Sequence, residues 1–239
     1  MHGGGAVSGP GRVRVAFALG VSALVAGMWL TGLDRGVTVA PSGPRLASTE
    51  LPSLAPTPSG PSDRIQLSSG IEKEARVPGQ TVRFVERRYD PPYRLPSVSR
   101  LPDATSLSTP EAAAAAYVGA LAQGDWDWWK QLWDRDSRAW YARHMLRAGL
   151  KQDDLVAAWK REHTGKRHLL LRRIDLPGYA ILYFRREDAP EDAIEASQPM
   201  ALKLDSSGRW WLTHELRENP VYFYDAGVAE GLEVHVVAK

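Results

Sequence analysis

Apolar and polar positions alternate with helical spacing along TPEAAAAAYVGALAQGDWDWWKQLWD, a stretch that begins at Thr109. Tyr117 and Leu121 lie one turn apart on the apolar stripe of a first helix. Thr109 is a suitable N-terminal cap for this helix, and Gly124 is a suitable stop. Asp125 is a suitable cap for the next helix. The pattern therefore predicts two capped helices joined by a glycine turn.

The second predicted helix is rich in tryptophan. Trp126, Trp129 and Trp133 recur at helical spacing, and an aromatic stripe of this kind is typical of a core rather than of a ligand box. A bend is expected near Asp136-Ser137. A third helix is expected from about Gln152 to His163.

Beyond residue 165 the pattern changes to that of strands. The runs RHLLLRRIDL and YAILYFRRE flank the turn signal Leu176-Pro177-Gly178, which predicts a hairpin. A second hairpin is predicted from Gln198 to Leu204 and from Arg209 to Leu216, after an acidic loop from Glu187 to Ser197. VYFYD and GLEVHVV would add one or two strands. Helices followed by sequential antiparallel strands predict an α+β fold.

The alternation from Arg209 to Leu216 assigns side chains to two faces. Trp210, Leu212, His214 and Leu216 would share the more apolar face. A histidine there would serve either as an acid or base, or as a core residue satisfied by one hydrogen bond, which is the interpretation we favour.

The N-terminal part has the pattern of a membrane anchor. Residues 1–14 form a short predicted cytoplasmic tail with Arg12 and Arg14, and the apolar run Val15 to Leu33 is long enough to cross a bilayer. We interpret this run as an uncleaved signal anchor, with a cleaved signal peptide as the alternative. Residues 34–63 are rich in proline and serine, which predicts a flexible linker. The expected location is the cell membrane, with the C-terminal part extracytoplasmic.

Residues 64–108 form a basic bridge to the helices. One strand is expected from Thr81 to Tyr89, ended by Pro91 and Pro92. Between Arg64 and Arg100 there are eight Lys/Arg and four Asp/Glu. This excess would either face anionic lipid headgroups or blunt a solvated edge strand, and we favour the edge strand.

Composition and motifs narrow the chemistry. The formal net charge of +2 gives no argument for nucleic-acid binding. The chain has no cysteine, which excludes disulfides and thiolate zinc sites. Nucleophile elbows, phosphate-binding loops, dinucleotide fingerprints and metal-ligand spacings of histidines are all missing from the sequence. We therefore predict no catalytic residue, no metal and no cofactor.

Two phrases, STPEAAAAAYVGALAQGDWDWWKQLW and LKLDSSGRWWLTHE, carry a family resemblance. In this order they resemble bacterial members of the NTF2-like (cystatin-like cone) superfamily, over roughly Thr109 to Leu216. The resemblance implies that residues 109–239 form a curved antiparallel sheet around the first helix, with a conical pocket. Enzymes of the family use an Asp or His in that pocket, and this chain matches no such pair.

Two functions are expected on these grounds. The first is a non-catalytic, membrane-anchored domain that binds a protein partner or its own copy in an envelope complex. Such domains often pair through the sheet face, which would place Trp211, Thr213 and Glu215 at the interface.

The alternative is a binder of small apolar ligands, or an isomerase or dehydratase-like enzyme. In that case the conical pocket would be lined by aromatic and apolar side chains around one histidine, namely Trp133, Tyr183, Trp210, Leu212 and His214. An enzyme of this kind would need a second titratable group beside His214.

Overall fold

The computed structural model of the chain describes residues 65–77, 79–189, 198–222 and 232–237. The predicted tail, signal anchor and linker, residues 1–63, lie outside these ranges. Within them, no helix combines the length and the apolar character needed to cross a bilayer. The membrane anchor therefore stays a prediction.

Four helices follow one another in the middle of the chain. They are α1 (Pro110–Gln123), α2 (Trp126–Gln131), α3 (Arg135–Ala148) and α4 (Gln152–His163), preceded by a 3-10 turn at Ala104–Leu107. The predicted caps are confirmed, because Thr109 Oγ1 accepts from Ala112 N–H at 3.2 Å and Asp125 Oδ1 from Trp128 N–H at 2.9 Å. Gly124 ends α1 in the left-handed conformation, at φ 63°.

The predicted bend is displaced. The second helix ends at Gln131, so Trp133 lies outside it, and Asp134 caps α3 through its Oδ1 and the N–H of Ser137 at 2.8 Å. The bend predicted at Asp136-Ser137 was therefore wrong by about one turn. The reason is that Asp134 supplies the N-terminal cap of α3.

Seven strands of the described chain form one antiparallel sheet. They are β1 (Ile71–Val77), β2 (Gln80–Arg94), β3 (His168–Leu176), β4 (Tyr179–Arg186), β5 (Gln198–Leu204), β6 (Trp210–Leu212) and β7 (Glu233–Val236). Their order across the sheet is β6-β5-β4-β3-β2-β1-β7. Helices on an antiparallel sheet confirm the α+β class, and both predicted hairpins are present.

The bridge segment contributes two strands rather than one. β1 pairs over its whole length with residues 80–86 of β2, and β2 also pairs with β3. β2 is therefore an interior strand, and the edge strand favoured from the sequence was wrong. The predicted end at Pro91 was wrong, since β2 continues to Arg94. The register between β2 and β3 shifts between Arg88 and Tyr93, and in such an irregularity a proline is not required to donate a ladder hydrogen bond.

Both faces of the sheet are covered. Cross-strand pairing places Arg173, Leu182 and Met200 on one face, and Arg173 hydrogen-bonds Glu111 of α1, so this is the helix face. The opposite face carries an apolar cluster that joins strand residues to the C-terminal segment: Ala75, Val82, Phe84, Ile174, Leu176, Ile181, Tyr183, Ala201, Leu216 and Val221. Burial on both faces explains why the strands read as nearly continuous apolar runs.

Helix α1 lies in the densest part of the helix face. Ala113 to Ala116 are all buried, and a Cβ on Gly119 would lie 2.6 Å from the carbonyl oxygen of Val98 and 2.7 Å from Trp128. The small residues of this helix therefore set how closely its neighbours approach. Only small side chains fit a helix that is enclosed on nearly all sides.

The strand predicted from Arg209 to Leu216 is shorter than its pattern suggested. β6 ends at Leu212, and the N–H of His214 bonds to Ser137 Oγ at 2.8 Å instead of to the sheet. The prediction that Leu216 shares a face with Trp210, Leu212 and His214 was wrong, because Leu216 belongs to the apolar cluster on the opposite face of the sheet. A tertiary hydrogen bond to α3 replaces the strand pairing that alternation assumes.

Candidate functional site

An aromatic cluster fills the space between α1, α2, α3 and α4. Trp129 lies at its centre, with ring centroids 4.8 Å from Trp126, 5.1 Å from Trp159 and 5.0 Å from Tyr141. Trp128, Trp129 and Trp133 are each less than a tenth exposed. Indoles that pack on one another in this way contribute apolar contact first.

His214 is enclosed by rings at the edge of this cluster. Its ring stacks on Trp133 at 4.8 Å and lies 4.3 Å from both Trp140 and Tyr141. Burial, with a smaller contribution from Arg217, lowers the pKa of His214 to about 3. The imidazole is therefore neutral at physiological pH and a weak base.

Three tyrosines border the same region and are only half-buried: Tyr117, Tyr141 and Tyr222. Burial raises the pKa of Tyr117 to about 12, and it also raises the pKa values of Tyr141 and Tyr222, with added repulsion from neighbouring tyrosines. The three rings therefore leave part of their surface accessible beside the aromatic cluster. The sequence pointed to Tyr117 and Tyr141 only as apolar helix positions, and Tyr222 carried no signal.

Of the predicted pocket residues, the structure brings Trp133, Leu212 and His214 together. The main chain joins the first two, since Leu212 N–H donates to Leu132 O at 2.9 Å and Asp134 N–H to Leu212 O at 3.0 Å. This segment runs alongside β6. These bonds fix Trp133 beside Leu212, and the bond from His214 N–H to Ser137 Oγ holds His214 next to them.

The other two predicted pocket residues are placed elsewhere. Tyr183 belongs to the opposite sheet face, where its hydroxyl donates to Tyr222 O at 3.1 Å. Trp210 is half-buried and pairs with Leu204 at the end of β6. The five residues do not form one lining, because strand alternation separates Tyr183 from Leu212.

The predicted interface residues also separate. Thr213 is buried at 3% exposure, and its N–H bonds to Ala201 O at 3.0 Å, so its side chain offers no contact surface. Glu215 is exposed and bonded to Tyr179 and Lys203, each at 2.5 Å. Trp211 is half-buried, with the guanidinium of Arg209 3.6 Å above its ring. Trp211 and Glu215 alone remain at the surface.

A second pair of buried histidines joins α4 to β3. His163 Nδ1 and His168 Nε2 lie 3.0 Å apart. Burial, together with a smaller effect of Arg186, lowers the pKa of His163 to about 3 and that of His168 to about 4. In the described part of the chain, no group of three or more His, Asp or Glu is arranged to hold a metal ion. The pair therefore stands as a structural contact between a helix end and a strand.

The outer surface of α3 differs from the rest of the helices. Ser137 is the only buried side chain among its 14 residues. Trp140, Tyr141, His144 and Met145 are half-buried on the inner side, whereas one outward stripe is fully exposed: Arg135, Ala139, Ala142 and Leu146. Leu146 is 83% exposed, the highest value among the exposed large apolar residues of the described chain.

Arginines lie within and on both sides of that stripe. Arg135, Arg138, Arg143 and Arg147 are exposed, and none forms an ion pair or a side-chain hydrogen bond with another described residue. The helix contains no lysine and no glutamate. A signal for this was present in the sequence, because only Arg138 has an acidic residue at helical spacing, Asp134, whose carboxylate caps the helix.

Comparisons of the chain with protein-family models, with curated proteins and with solved structures returned no match.

Proposed function

We propose that this protein is a membrane-anchored, non-catalytic domain of NTF2-like type, which binds a protein partner in an extracytoplasmic envelope complex. The anchor and linker come from the sequence pattern. The observation that carries the binding role is the outward surface of α3, which exposes Leu146 and four arginines that have no ion pair with a described residue.

The residue types of α3 support a protein interface. Arginine is enriched at interfaces, whereas Lys and Glu are depleted, and the outer surface of α3 carries four arginines and neither of those two residues. Because Ser137 is the only buried side chain of α3, the outer face of this helix contributes little to the stability of the fold. That face is available for contact with another molecule.

The histidine environment argues for binding rather than catalysis. A general base works best when its pKa lies near the operating pH. With a pKa of about 3, His214 is far below that range. Its stacking on Trp133, Trp140 and Tyr141 assigns it to the packing of α3 on the domain.

The experiment uses the full chain in its host membrane, with a photo-crosslinking amino acid at Ala142. The same group at Ser206, in the exposed β5–β6 turn, is the control. A discrete protein adduct from position 142 and none from position 206 is expected. Equal labelling from both positions, or no adduct from position 142, would reject the proposal.

Topology has its own test. Protease added outside intact spheroplasts should degrade the C-terminal domain and spare a cytoplasmic marker, and the protein should stay in the membrane pellet after alkaline extraction. Release into the supernatant would contradict the anchor while leaving the interface open to the crosslinking test.

A second candidate function is suggested by the half-buried Tyr141 beside His214. Tyr141 is half-buried, and its hydroxyl has no hydrogen-bond partner among the described residues; the indole N–H of buried Trp133 has none either. Apolar walls with a few polar groups suit a small apolar ligand. Anilinonaphthalene sulfonate should then bind the full chain in neutral detergent, with weaker binding after Tyr141→Ala than after Tyr179→Ala. Equal binding by both variants would exclude a ligand site at Tyr141.

A further inference from the structure

The charges on α3 identify the kind of partner that the proposed interface would take. Exposed arginines elsewhere in the chain usually contact an acidic group. Arg76 and Arg83 both bond to Glu74, and Arg94 bonds to Glu187. The four arginines of α3 have no such contact with a described residue, so within the described part of the chain their charges are available to another molecule.

From this we infer that the outer surface of α3 recognises an acidic segment of another protein, with Arg135, Arg138, Arg143 and Arg147 contacting carboxylates and Leu146 making the central apolar contact. The inference rests on the proposed function, since it names the partner chemistry of the same surface. The planar guanidinium group binds a carboxylate through two parallel hydrogen bonds, which gives arginine an advantage over lysine at such a site.

The layout of the helix specifies the shape of the contact. Arg135, Ala139, Ala142 and Leu146 follow at intervals of four, three and four residues, which makes a straight stripe along the helix. Ala139 and Ala142 leave room for the main chain or a small side chain of the partner to approach. Arg138 flanks one side of this stripe, and Arg143 and Arg147 flank the other.

A bilayer surface fits this layout less well than a protein does. Helices that lie in a membrane interface present several large apolar side chains to the acyl boundary. Here Leu146 is the only large apolar residue on the outer stripe, and Trp140, Tyr141 and Met145 are half-buried on the inner side. The lack of a large apolar face on the outer stripe therefore favours a protein partner over a bilayer.

The test compares two quadruple variants of the full chain. One carries Arg→Gln at the four arginines of α3. Its matched control removes the same number of charges at exposed arginines outside α3, namely Arg88, Arg100, Arg161 and Arg167. Three of these control arginines have only long ionic contacts, of 3.7–3.8 Å, so the fold should tolerate their loss.

Binding is measured in neutral detergent with poly-L-glutamate as the probe, and with vesicles of phosphatidylglycerol and phosphatidylcholine in equal parts. The wild type and the control should bind poly-L-glutamate. The affinity of the α3 variant should be lower by a factor of about ten or more. Equal losses in the two variants, no binding of the wild type, or binding to vesicles alone would each overturn the inference.

The crosslink from position 142 separates this inference from the proposed function. An adduct whose yield falls in the α3 variant and persists in the control supports both. An adduct that is indifferent to the arginines keeps the interface and overturns the acidic partner. If the adduct is missing from the wild type, the proposed function itself fails.

Discussion

The β1–β2 hairpin and helix α3 are both rich in basic residues, yet the structure uses these residues differently. In the hairpin, Lys73 contacts Glu86 at 2.5 Å and Arg87 contacts Asp175 at 3.0 Å. In α3 the arginines contact no acidic group of the described chain. The same excess of positive charge is structural in one region, whereas in the other it has no acidic contact among the described residues.

The hairpin pairing also answers the question that the sequence left open about the basic bridge. Hydrogen bonds from Arg76 and Arg83 lower the pKa of Glu74 below its ordinary value. Because these cations already have partners within the sheet, they are poorly suited to bind lipid headgroups. The net charge of a segment shows its excess of cations over anions, but not how many of the cations form ion pairs.

The largest expected effect is on the buried pairing of the hairpin. Glu86 is 4% exposed and lies near Lys73, Arg88 and Arg172, the last two at 3.8 and 3.6 Å. Glu86→Gln should lower the free energy of unfolding by about 3 kcal/mol, because it leaves a buried guanidinium with less compensation. Denaturant unfolding measures this, with Glu218→Gln at the surface as control. A loss equal to that of the control would show that the hairpin charges are dispensable.

Acid should weaken the interior while α3 keeps its charge. His163, His168 and His214 have folded pKa values of about 3, 4 and 3, below the ordinary value of 6.5. As pH falls below about 6.5, the unfolded chain takes up protons that the folded chain excludes, so stability is lost from there downward.

The loss at pH 5 should be about 2 kcal/mol for each of these histidines. Unfolding followed between pH 7 and pH 5 measures it. The double variant His163→Gln and His168→Gln should show a shallower dependence on pH, whatever its absolute stability. A slope identical to that of the wild type would contradict the assignment of these two histidines as neutral.

Removing the α3 charges should leave the fold unchanged. Arg→Gln at Arg135, Arg138, Arg143 and Arg147 is expected to change the free energy of unfolding by less than about 0.5 kcal/mol, because no contact within the described chain is lost. Thermal unfolding compares this variant with the wild type. A clear destabilisation would mean that the arginines have structural partners, and the contrast with the hairpin would disappear.

The smallest effect on stability is expected for Leu146→Ser. At 83% exposure this side chain contributes little burial, so the thermal midpoint should not move. The crosslink from position 142 should nevertheless become weaker, since Leu146 is the central apolar contact of the proposed interface. Leu204→Ser, at an exposed leucine in β5, is the control. Equal crosslinking by both variants would count against a role for Leu146.

Local signals predicted the helices well. Thr109, Gly124 and Asp125 act through neighbours within a few residues, so their roles can be read from the chain alone. The hairpin at Leu176-Pro177-Gly178 is equally local. Trp129 and Trp133 are buried in an aromatic core, as their spacing indicated, whereas Trp126 is half-buried.

Signals that depend on distant partners were less informative. Pro91 did not end β2, because a register shift against β3 accommodates it. His214 left the strand pattern when Ser137 of α3 supplied a hydrogen bond, whereas the N–H of Thr213 still donates to Ala201 O of β5. Tyr183 was assigned to a pocket with Leu212, but pairing with β3 and β5 sets the two residues on opposite faces.

The sequence by itself determined the α+β order, the helix caps, the two hairpins and the aromatic content of the core, because these depend on contacts within one element or turn. The tertiary structure decided which charges are paired and which rings enclose His214. These outcomes depend on residues far apart in the chain, such as Arg87 and Asp175, which only the sheet brings together. Spacing along a chain carries no record of such contacts, whereas the paired strands and packed helices do.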